Sequence, residues 1–296
     1  MSYIKIVKSM SFSKISYVKK LFSIYVEYLQ IDLTNSLLNS NSCYRNIDII
    51  IILKDVFNML YLSDEILEKK KDKIDNLLEE IRKLIEEYDS LKKTEKADLD
   101  FQNIEICDDK VITHILKDKE LIRLNAHFMK ANMIFRNYFN GKYIEEKVLE
   151  KFSNKSQTYE CYLFIQPLLE ANNALSHLAI YIYSNGEKEN KLKNINKAKS
   201  HLYRGTIDYY KMFIRFSIEK SKTNKDNIFA SFRSIREQEF LSLGKNLMKK
   251  DIKFINPETG NTENGYIFEA YRKLFVAIKK DLDFQKNQLS NSTLTT

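Results

Sequence analysis

The sequence predicts an all-α protein, a helical bundle with one long coiled-coil-like helix. Only six Gly and two Pro, Pro167 and Pro257, punctuate its 296 residues. A chain that seldom turns sharply and is rich in Leu, Lys, Glu and Ile is helical by composition, and a many-stranded architecture would need more turn residues. Apolar residues recur every three or four positions along most of its length. A hydrophobic content of 44% supplies a core of ordinary size.

The first amphipathic stripe is Ile15, Val18, Leu21/Phe22, Tyr25, Tyr28/Leu29 and Leu33, which predicts a helix from Ser13 to about Leu38, capped by Ser11 or Ser13. The polar stretch Asn39–Asn46 reads as a turn. The run Ile47–Leu53 suits a buried strand or a buried helix start; with no second strand nearby it is assigned to helix. Leu60, Leu67, Ile74, Ile81 and Tyr88 then stand seven apart, with Leu78 and Ile85 between them, while Asp64 and Lys71 interrupt the first half of the seam. A continuous helix over about 54–93 would be about 60 Å long, and part of such a rod is expected to meet a second chain or a neighbouring long helix. Lys92–Asp100 reads as a charged linker.

Phe101–Val111 alternates weakly and fits a short strand or irregular cover. Ile112–Phe139 is predicted as one helix ending at Asn140-Gly141, with a short helix over Tyr143–Phe152. Ser156 opens a helical hairpin. Its first helix runs to Tyr183 and stops at Ser184-Asn185-Gly186, with Pro167 as a kink or fresh first turn; the second runs from about Lys191 to Ser221. A helix over Asp226–Lys250 follows, then a loop or small hairpin over Ile252–Gly265, marked by Pro257, Gly260 and Gly265. A last helix rests on Ile267, Tyr271, Leu274/Phe275, Ile278 and Leu282, and the polar tail 285–296 is expected to be disordered. The expected domains are thus 1–100, with the long helix, and a bundle over 101–284 centred on the hairpin 156–221.

The net charge of +8 is not spread evenly, because residues 151–250 hold 18 basic against 9 acidic side chains. A local basic excess fits an anionic partner, nucleic acid, nucleotide or acidic protein, and equally fits lysines that only solubilise a helical surface. Cys43, Cys107 and Cys161 are odd in number and lack C-x-x-C spacing, which predicts neither a disulfide framework nor a zinc knuckle and fits a reducing cytoplasm. The N-terminus lacks an apolar signal-peptide core. The longest apolar runs fall well short of the roughly 18 residues a bilayer requires, so no membrane segment is expected.

Chemistry is best sought on the hairpin. On its second helix the core stripe is Ile195, Ala198, Leu202, Gly205, Tyr209, Met212/Phe213 and Phe216. Beside it His201, Arg204, Asp208, Lys211 and Arg215 recur at spacings of three and four, within about 80° of one another on the helix cylinder. Glu170, Asn173 and His177 stack likewise on the partner helix. Antiparallel pairing would bring the two sets into one polar seam, where a histidine could serve as general base and an arginine could hold a phosphate. The same residues also fit a structural role, with Arg204–Asp208 as an i,i+4 ion pair worth a few tenths of a kcal/mol and each histidine hydrogen-bonded at the core edge.

This basic hairpin with aligned His and Arg, about Ser156–Ser221, resembles the HEPN superfamily of small α-helical domains. The resemblance implies an RNase or nucleotide-binding role in toxin–antitoxin and phage-defence systems, with action as a dimer. The superfamily's R-x(4–6)-H signature is absent at all four histidines. Arg123-x3-His127 is one residue short and on another helix, and in the hairpin the order is reversed, so no catalytic residue carries over. Glu-x-x-His pairs, H-E-x-x-H and the glycine-rich phosphate loops are also missing. The sequence therefore predicts no cofactor, no metal and no catalytic residue. Its leading reading is a non-enzymatic, oligomeric interaction or accessory protein of the cytoplasm, self-associating or binding a partner protein through the long helix. Its binding seam is Glu170, Asn173, His177, His201, Arg204, Asp208, Lys211 and Arg215. The alternatives are a divergent metal-independent RNase using His201, Arg204 and His177, and a phage or plasmid structural protein.

Overall fold

A computed structural model of the chain describes residues 2–35, 43–90, 108–139, 160–183, 188–242 and 251–292. The described chain is helical apart from one small hairpin of strands. In order it forms α1 (Ser2–Asn35), α2 (Cys43–Met59), α3 (Asp64–Lys69), α4 (Lys71–Asp89), α5 (Asp109–Lys117), α6 (Lys119–Phe139), α7 (Glu160–Tyr183) and α8 (Lys188–Ser217). A 3-10 turn (Ile218–Lys220), α9 (Lys225–Phe240), β1 (Asp251–Ile255), β2 (Thr262–Tyr266) and α10 (Ile267–Ser292) follow. The chain divides into two compact units, Met1–Lys130 with Thr158–Leu202, and Ala131–Gln157 with Tyr203–Thr296.

In the first unit α1, α2 and α4 pack on one another, with α7 against α1 and α2. The seven seam residues expected to be apolar, Leu60 through Tyr88, are all buried. The 60 Å rod over 54–93 does not form. Residues Leu60–Ser63 break it: Ser63 takes up extended backbone and its hydroxyl accepts from the Ile66 amide, capping α3, and Lys14 of α1 donates to the Leu62 carbonyl at 2.8 Å. Folding the seam back lets Ile74, Leu78, Ile81, Ile85 and Tyr88 of α4 bury against α1 and α2, so it is filled inside the unit. The long helices are instead α1 and α8, 34 and 30 residues.

Polar ties fix the register of these helices. Tyr17 of α1 donates to Asp75 of α4 at 2.9 Å, and the Tyr88 hydroxyl donates to Asp32 at 3.1 Å. Tyr25 is wholly buried, its ring against those of Phe22 and Tyr28. Its hydroxyl reaches α7, donating towards Asn172 and lying 2.6 Å from Ser176 Oγ.

Other boundaries differ from expectation for local reasons. Helix α1 starts at Ser2, so Ser11 and Ser13 lie inside it. Leu33, expected on the buried stripe, is 49% exposed. Helix α2 already includes Cys43–Asn46, part of the expected turn, and confirms Ile47–Leu53 as helix. The single helix over Ile112–Phe139 is split at Asp118, whose carboxylate accepts from the Leu121 amide at 2.9 Å and so caps α6. Pro167 lies within α7. The expected tail 285–296 is helical as far as Ser292. The linker at 92–100, the short helix at 143–152 and the last part of the helix expected to run to Lys250 lie outside the described residues.

The second unit sets α9 against α10 and the antiparallel pair β1–β2, with Ile252 opposite Gly265 and Phe254 opposite Glu263. The turn between the strands is built by Asn256, whose side-chain oxygen accepts from the amides of Glu258 and Thr259. Gly260 has φ +75°, and a Cβ there would stand 3.0 Å from the Asn227 side chain. An aromatic core of Tyr203, Tyr210 and Phe213 from α8 meets Phe268 and Phe275 of α10.

Candidate functional site on the helical hairpin

Helix α8 has the two faces its spacing predicts. Ile195, Ala198, Leu202, Tyr209, Met212 and Phe213 are buried; Phe216, expected among them, is 36% exposed. Arg204 and Arg215 are exposed, and His201, Asp208 and Lys211 are half-buried. On α7, Glu170 is buried, His177 half-buried and Asn173 exposed on the outer side.

Within the first unit three of the expected residues meet. His201 Nδ1 lies 2.6 Å from Glu170 Oε2, and the rings of His177 and His201 stack with centroids 5.2 Å apart and planes 25° from parallel. His177 Nδ1 is 2.9 Å from Asn194 Oδ1. The Asn194 amide is oriented by its own Nδ2, which donates to the Asn190 carbonyl at 2.9 Å, so the oxygen faces the ring and His177 Nδ1–H must donate. A carboxylate only accepts, so His201 Nδ1–H likewise donates to Glu170. The hairpin thus fixes the same tautomer on both imidazoles. A carboxylate behind an imidazole orients the ring, the arrangement used in general acid–base chemistry.

In the second unit Lys211 belongs to a charge cluster that the sequence did not reveal. It pairs with Glu239 of α9, lies 3.9 Å from Asp208 and sits over the Tyr271 ring. Glu239 is 92% buried and also accepts from Arg236 and, at 2.7 Å, from the Tyr271 hydroxyl. Burial pushes its carboxyl up, but the bonds from Lys211 and Tyr271 and the charge of Arg236 outweigh that and hold it below its ordinary value. The signal that marks it is positional. Ile228, Ser231, Ile235 and Glu239 are the buried stripe of α9, while the neighbouring Phe240 is 70% exposed. A carboxylate at a core position requires a cationic partner.

Lys199 is a buried cation. It bridges Asp118 at 2.8 Å and Glu120 at 3.2 Å, tying α8 to the start of α6 within the first unit.

A cavity of about 410 Å³ in the second unit is lined by Thr223, Asn224, Ile228, Pro257, Lys280 and Asp281, among others. Asp281 is already engaged in holding the turn after α8. Its Oδ2 accepts from the Ser221 hydroxyl and from the amides of Lys222 and Thr223, and its Oδ1 from the Thr223 hydroxyl. Among the described residues no group of three or more His, Cys, Asp or Glu could hold a metal ion, and no helix is long and apolar enough to cross a membrane.

No protein-family model, no curated protein and no solved structure matches the chain.

Proposed function

We propose that this is a non-enzymatic interaction or accessory protein that presents the basic face of α8 to an anionic partner. The observation that carries the reading is the segregation of charge onto one element. Helix α8 holds eight lysines and arginines against two carboxylates, and Lys193, Lys197, Arg204 and Arg215 are exposed on it. A nucleic acid, a nucleotide or an acidic protein satisfies such a surface. The phage-defence or toxin–antitoxin setting goes with the HEPN-like hairpin. Self-association through the α4 seam draws no support from the fold, since that seam is filled by α1 and α2. The test is retention on a heparin or polyphosphate column at low salt. The wild type should bind, and the triple variant Lys193→Glu, Lys197→Glu, Arg215→Glu should elute in the void with an unchanged circular dichroism spectrum. A wild type that flows through refutes the reading.

The stacked His177–His201 pair with Glu170 favours one other reading, a divergent metal-independent RNase. His201→Ala should then abolish cleavage of a mixed RNA substrate, and an RNA left intact by the wild type removes this reading.

A further inference from the structure

The cavity of about 410 Å³ in the second unit has the size of a small-molecule site. Its wall is built from the turn after α8, the start of α9, the turn between β1 and β2, and one face of α10, all within that unit. Residues of α10 enter it at spacings of three and four, Ala277, Lys280, Asp281 and Phe284. Ile228 and Pro257 are buried, Ala277 is half-buried and Phe284 is exposed. These four side chains give the cavity an apolar lining.

The polar groups of the same wall select the ligand. Lys280 pairs with Glu258 of the β1–β2 turn at 2.7 Å, and the two side chains are 67% and 55% exposed. A pair so exposed adds little to stability, so opening it costs the fold little. A ligand with one charge would take one partner of the pair and leave the other alone beside it. A ligand with both charges gives each a new partner. Asn224 stands at the start of α9 in the left-handed region, φ 53°, and its side chain does not cap the helix; the positive end of the α9 dipole favours a carboxylate beside it. The fixed charge of Asp281, held by Ser221, Lys222 and Thr223, favours an ammonium. We infer that this cavity binds a small zwitterion with an apolar body, an α-amino acid of the phenylalanine kind. Its carboxylate meets Lys280 and Asn224, its ammonium Glu258, and its side chain the apolar lining. The inference goes beyond the anion-binding reading, because no residue of α8 lines the cavity.

The experiment is fluorine NMR with the full chain and para-fluorophenylalanine. The comparison probes are para-fluorophenethylamine and para-fluorophenylpropionate, each of which carries one of its two charges. The amino acid should show saturable line broadening that unlabelled phenylalanine reverses and glycine does not. Each single-charge probe should bind about three- to fivefold more weakly. Lys280→Gln and Glu258→Gln, both at exposed positions, should each weaken the amino acid by the same factor. Ala277→Leu fills the cavity and should abolish binding with an unchanged circular dichroism spectrum. Broadening of no probe overturns the inference. So does an amine or a carboxylate that binds as tightly as the amino acid, binding that either charge variant leaves unchanged, or binding retained by a folded Ala277→Leu protein.

Discussion

Replacing Asp281 by Asn keeps shape and volume and removes only the charge that organises the turn after α8. Burial alone would raise the Asp281 carboxyl, but the hydroxyls of Ser221 and Thr223 and the amides of Thr223 and Lys222 outweigh it and hold it at about 2, against an ordinary 3.8. A shift of that size corresponds to about 2 kcal/mol of native-state stabilisation. The residue is only 7% exposed, so solvent screens little of it. The neutral amide also turns an NH2 group towards donors on one side or the other, which keeps the expected loss near 2–3 kcal/mol. Urea unfolding followed by far-ultraviolet circular dichroism should show a lower midpoint with the same m-value. The sign of the pH dependence is fixed. A carboxyl depressed in the native state stabilises fully above about pH 4, and that stabilisation fades as pH falls towards 2. The gap between wild type and Asp281→Asn should therefore be constant from pH 7 to pH 5 and close below pH 4. A gap under about 0.5 kcal/mol at pH 7, or one that widens in acid, refutes the clasp.

Leu78→Ala removes a side chain from the buried α4 seam and should cost about 2–5 kcal/mol while leaving the light-scattering mass equal to that of the wild type. A mass that falls with the mutation would mean that the seam joins chains. Glu239→Gln strips the shared carboxylate from Lys211, Arg236 and Tyr271. Breaking a buried pair costs about 3–5 kcal/mol, and with Arg236 41% exposed the lower end is expected in thermal or urea unfolding. A variant as stable as the wild type would show that the cluster is surface decoration.

The hairpin was legible because its helices obey one period without competition. The stripe Ile195 to Phe213 is buried as spaced, and the polar ladder beside it includes the residues that meet Glu170 and Glu239. Pro257 and Gly260 marked the turn between Asp251–Ile255 and Thr262–Tyr266, but left open whether a loop or a small hairpin of strands carries it. The rod over 54–93 was misread because heptad spacing carries through a break that keeps its register. Leu60 and Leu67 remain buried on both sides of Ser63, and the cap that ends the rod is a single hydroxyl worth about 1 kcal/mol. Asp118 divides the next helix in the same way. Glu239, Arg236 and Tyr271 were not legible as a cluster, because partners 32 residues apart meet only through the packing of α9 on α10.

The buried tyrosines give the fold an upper pH boundary. Burial pushes the hydroxyls of Tyr25, Tyr28, Tyr61, Tyr210 and Tyr271 well above their ordinary value. Each contributes stability that is present below about pH 10 and is lost above it, where only the unfolded chain can shed the proton. With 18 tyrosines and no tryptophan, ultraviolet absorption near 295 nm should stay flat for this set as alkali is added. It should then rise in one step with the loss of helical circular dichroism, so that phenolate formation and unfolding become one event.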